Sequence, residues 1–67
     1  MDADTILKAL RHHAEDVRDG WGMVYLDNAR PNDVSPRQFA GYLSVLEQRG
    51  LYRTVDNYAW GEVKVEQ

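Results

Sequence analysis

The chain has 67 residues, no cysteine, and 11 acidic against 8 basic residues, a formal charge of -3. A length of this order admits one domain, spanning residues 1–67, with a small core and no disulfide or thiolate–metal staple. The acidic balance excludes a strong nonspecific polyanion binder, and no apolar run approaches the roughly 18 residues of a membrane span.

Ala3, Ile6, Leu7, Leu10, Ala14 and Val17 recur on one helical face and predict a first helix from about Ala3 to Asp19. Asp2 or Asp4 is placed to cap its start and Gly20 to stop it. Met23–Leu26, preceded by glycine, reads as a strand, and residues 28–33, broken by Pro31, as a loop or at most one helical turn. The second helix has the most specific signals: Ser35 as N-cap, Pro36 at the first helical position, and Gln38 completing a capping box. Val34 and Phe39 occupy the staple positions, and Phe39, Ala40, Leu43 and Leu46 form the apolar face. Gly50 ends this helix at about Arg49, with Leu51 folding back on Leu46. Leu51–Val55 and Tyr58–Val65, separated by Asp56-Asn57, predict a β-hairpin. The expected class is α+β, order α-β-α-β-β, with two helices on one face of a three-stranded sheet.

Residues 34–53, with Ser35 at the cap, Leu43-x-x-Leu46-Glu47, and Gly50-Leu51 leading into a strand, resemble the recognition-helix segment of winged-helix transcriptional regulators. The hairpin takes the place of the wing. One departure is clear: the complete helix that usually precedes the recognition helix is reduced here to Asn28–Asp33. The resemblance implies a small DNA-binding regulator, acting as a dimer, with the helix at about 36–49 as its reader.

Charge is unevenly distributed along the chain. Residues 30–53 carry Arg30, Arg37, Arg49 and Arg53 against Asp33 and Glu47, whereas both flanks are net acidic. An anionic partner is therefore expected to meet the middle of the chain. On the DNA reading, Arg37, Gln38, Gly41, Tyr42 and Ser44 enter the major groove, and Arg30, Arg53 and Lys64 serve phosphates. The acidic balance and a wing tip of Asp56-Asn57-Tyr58, with no Lys or Arg, favour the alternative, a protein-interaction module with no nucleic acid, contacted through Val45 and Gln48. Trp60, Tyr58 and Tyr52 have the chemistry to stack on single-stranded bases, but in so small a chain they are expected as core filler. His12 and Asp16 have i, i+4 spacing, but with no further ligands a solvated face is expected, and no metal. No glycine-rich phosphate loop or nucleophile–base pair is present, so neither an enzyme nor a cofactor is expected. The acidic Met1-Asp2-Ala3-Asp4 start is unlike a secretion signal or transit peptide, and with the lack of cysteine it leads to an expected cytoplasmic location. So small an unstapled core also leads to an expected homodimer.

Overall fold

The computed structural model describes residues 2–56 and 59–66. Its elements in chain order are α1 (Ala3–His12), β1 (Glu15–Arg18), β2 (Trp21–Tyr25), α2 (Leu26–Ala29), α3 (Pro36–Gln48), β3 (Tyr52–Asp56) and β4 (Trp60–Lys64). The strands form one antiparallel sheet in the order β1-β2-β4-β3. The α+β class expected from the sequence is the observed one, and the C-terminal hairpin is β3–β4. The expected start of its second strand at Tyr58 lies outside the described residues.

The first helix is shorter than its periodicity predicts. Asp2 Oδ1 accepts 2.9 Å hydrogen bonds from both the amide and the hydroxyl of Thr5. The amide bond in particular holds the Asp2 carboxyl below its ordinary value of 3.8. The helix ends at His12 rather than Asp19, with the His13 amide donating back to Ala9 and Leu10. The cause is Asp19-Gly20, whose φ values of 55° and 83° make a two-residue hairpin turn with Arg18 facing Trp21. Ala14 and Val17, which continue the helical spacing, instead pack beside Gly22, where a Cβ would stand 2.7 Å from that of Ala14. The sheet consequently has four strands and not three. His12 and Asp16 no longer share a helix face.

The predicted strand at Met23–Leu26 is shifted to Trp21–Tyr25, and Leu26 opens the single turn of α2. The third helix agrees closely with its local signals. Gln38 donates its amide to Ser35 Oγ (3.1 Å) and accepts the Ser35 amide on Oε1 (3.0 Å). At its exit, the Leu51 amide donates to Leu46 O (2.9 Å) and the Gly50 amide to Glu47 O (3.0 Å). These are the two bonds of a Schellman ending, with Gly50 left-handed at φ 76°.

All three helices cover one face of the sheet. Ile6, Leu10, Val24, Leu46 and Val63 are its fully buried side chains, joined by Phe39, Val34 and Tyr52. Alternation along the strands sends Val24 and Val63 inward and leaves Trp21, Met23, Tyr25, Trp60, Glu62 and Lys64 on the uncovered face. No helix among the described residues is long and apolar enough to cross a membrane.

Candidate functional site

Two surfaces stand out, one on each side of the molecule. On the helix side, Arg37, Gly41, Ser44, Val45 and Gln48 follow i, i+4, i+7, i+8 and i+11 spacing and form one exposed stripe opposite the buried Phe39 and Leu46. Nothing lies within 4 Å of a Cβ placed on Gly41, and Val45 is 37% exposed. The expected base-reader Gln38 has its Oε1 committed to the capping box. Tyr42 is half-buried against the core.

The arginines of the middle segment do not form one patch. Arg30 Nη1 donates to Val34 O at 2.7 Å, tying α2 to the entry of α3. Arg49, beyond the far end of α3, faces Asp4 at 3.7 Å. Arg53 lies on the uncovered sheet face, where its Nε donates to Glu62 Oε1 at 2.7 Å and its guanidinium lies 4.0 Å from the Trp21 ring centroid. Lys64 approaches the same ring at 5.9 Å. Arg53 and Lys64 are thus separated from the α3 stripe by the thickness of the domain.

The second surface is the uncovered sheet face. Trp21, Met23, Tyr25 and Trp60 lie across the two central strands, in the register Trp21↔Lys64, Met23↔Glu62 and Tyr25↔Trp60. The Tyr25 and Trp60 rings are 5.1 Å apart. Beside them His13, Glu15 and Asn28 complete an open hollow of about 290 Å³. Trp60, expected as core filler, is thus on the outside, and Tyr52 is in the core at 3% exposure, out of reach of any stacking base.

A third feature is a groove of about 240 Å³ between α2, α3 and β3, with Leu26, Pro36, Phe39, Ala40 and Leu43 along its walls and Arg30 at its edge. Ala40, expected in the core, is exposed here because α3 stands off the short α2. Burial pushes the Tyr52 hydroxyl above its ordinary value of 10.0, opposed by Thr54 and reinforced by Glu47. Thr54 is near enough to favour ionisation slightly, but the hydroxyl makes no hydrogen bond among the described residues.

Compared with protein-family models, curated proteins and solved structures, the chain matches none of them.

The sequence did carry a signal for the sheet face that the helical periodicity masked. Asp19-Gly20 between Val17-Arg18 and Trp21 is the strongest short hairpin signature, and it adds the strand whose Glu15 and Arg18 extend this face. That the face is uncovered follows from layer count: the helices fall on the other side, and no further element among the described residues lies over this one.

Proposed function

We propose that this chain is a protein-interaction module on a winged-helix-like domain, engaging its partner through the outward stripe of α3. The carrying observation is the fate of the central arginines. Three of the four are bound to groups of the chain itself and lie on different sides of the domain. A phosphate-tracking surface needs several cations side by side. What α3 presents instead is Gly41, Ser44, Val45 and Gln48, a low, weakly charged stripe that lets another backbone approach closely. The succession of α2, α3 and the β3–β4 hairpin supports the winged-helix resemblance, with α2 as the reduced helix before α3, while the added strand β1 departs from it. Self-association and a cytoplasmic location belong to the same proposal.

Duplex DNA is the second reading, favoured by the exposed Arg37 in the first turn of α3. A photo-crosslinker at Ser44 separates the two. The module reading expects a protein adduct, unchanged by nuclease and lost in Val45→Lys. Selection of a duplex at about 50 mM salt, with affinity falling steeply as salt rises, replaces the module reading with the DNA one.

A further inference from the structure

β3 is an edge strand, paired with β4 on one side only. Lys64 donates its amide to Leu51 O at 2.9 Å, so in the register Tyr52↔Val63 and Thr54↔Gly61 it is Leu51 and Arg53 whose backbones turn towards β4. Tyr52 and Thr54 turn their N–H and C=O groups outward, and no described residue bonds to these four groups. The side chains of the same two residues line the groove of about 240 Å³ beside α3. The facing wall is a stripe of α3, Pro36, Ala40 and Leu43 at i, i+4 and i+7, continued by Glu47 at i+11. Small-molecule pockets begin at roughly 300 Å³, so this groove is sized for side chains rather than for a whole ligand. Charge at its rim is unequal. Asp27 and Arg30 offset one another, while Glu47 stands at the Tyr52 end, near enough to act on that hydroxyl. A strand edge with no proline or lysine, opening beside an apolar groove, is a template for one more strand.

We propose that an extended peptide of a partner protein adds to β3 as a further antiparallel strand, with apolar side chains at alternate positions in the groove and a Lys or Arg following them. Residues paired antiparallel share a face, so those that bond Tyr52 and Thr54 are also those whose side chains enter between Leu26, Phe39 and Leu43. In that direction the C-terminal end of the peptide lies at Tyr52, where a basic side chain meets Glu47. Backbone bonds supply the affinity, and the groove and Glu47 supply the selection. A register shift between Thr54 and Asp56 ends the regular edge, so the contact is short and weak. The groove wall and the stripe of Gly41, Ser44 and Val45 are different faces of α3, so the two proposals fail independently.

Panning a phage-displayed library of random linear peptides against the intact chain tests the contact. The expected result is enrichment of sequences with apolar residues at i and i+2 and a basic residue after them. The best of them is then synthesised with blocked ends. N-methylation of its groove-facing residues removes the amides that bond β3 and lowers affinity at least about tenfold, whereas N-methylation of the residues between leaves it unchanged. The amides of Tyr52 and Thr54, open in the free chain, become protected from hydrogen exchange in the complex. Ala40→Lys, at an exposed helix position and with its fold checked by circular dichroism, abolishes binding. Glu47→Lys weakens it about tenfold and prefers the same peptide with Glu in place of its basic residue. Val45→Lys leaves it unchanged. No enrichment, or enrichment at the i, i+3 and i+4 spacing of a helix, overturns the proposal. So does an N-methyl effect without this alternation, or loss of binding in Val45→Lys. A mass of the free chain that rises with concentration, and no longer does so in Ala40→Lys, gives the groove to a second copy and overturns it too.

Discussion

Gly61 lies directly beneath the Tyr52 ring, and a Cβ there would overlap the ring and its hydroxyl. Gly61→Ala is therefore expected to destabilise the domain by about 1–3 kcal/mol through overpacking, read from the urea midpoint. Tyr52→Phe acts in the opposite direction. It removes a buried hydroxyl with no hydrogen-bond partner among the described residues, and a gain of about 1 kcal/mol is expected. The pH dependence has a definite sign. The folded Tyr52 ionises above its ordinary 10.0, so the unfolded chain releases its proton first. Stability is intact below pH 10 and falls as pH rises beyond it, and Tyr52→Phe removes that part of the loss. A fall of equal size in both proteins would show that Tyr52 is not its source. None of this was legible in the sequence, where Tyr52 is one of seven aromatics and Gly61 an interruption in a strand.

Among the elements, α3 and β1 make a useful contrast. The start of α3 is encoded within four residues, Ser35 to Gln38, and both hydrogen bonds of the capping box form. Ser35→Ala is expected to lower stability by about 1 kcal/mol in thermal or chemical denaturation. The first hairpin has an equally local code in Asp19-Gly20, but a longer-range pattern competes with it. Ala14 falls at helical spacing from Leu10 because it packs against the same core as α1, although it does so from the link ahead of β1, while Val17, at the same spacing, lies on β1 and stays largely exposed. Gly20→Ala is expected to cost about 1 kcal/mol, since the left-handed conformation penalises a Cβ, while Asp19→Asn is near neutral. Equal effects of the two substitutions would argue against the turn.

At the scale of the whole molecule, a core of this size has little reserve. Leu46, fully buried among α1, α3 and the sheet, is expected to cost about 2–5 kcal/mol when replaced by alanine. That is a large share of the stability of any small domain, so Leu46→Ala should show loss of tertiary signal well below the wild-type transition. The α+β class, the limits of α3 and the C-terminal hairpin were determined by the sequence itself, because caps, turns and periodicity act over a few neighbouring residues. Only the tertiary structure decided where α1 ends, which side of the sheet stays open, and where the charges go. Arg30, Arg37, Arg49 and Arg53 are neighbours in the sequence, and their clustering there carried the expectation of an anionic partner. Folding disperses them: α3 sets Arg37 and Arg49 at opposite ends of a thirteen-residue helix, and the strand that follows turns Arg53 to the far face. Trp21 and Trp60 are far apart in sequence, and the β2–β4 pairing brings them onto one surface. Local bonding writes elements into the chain, but surfaces are made by contacts between residues distant along it, and those exist only once the core has formed.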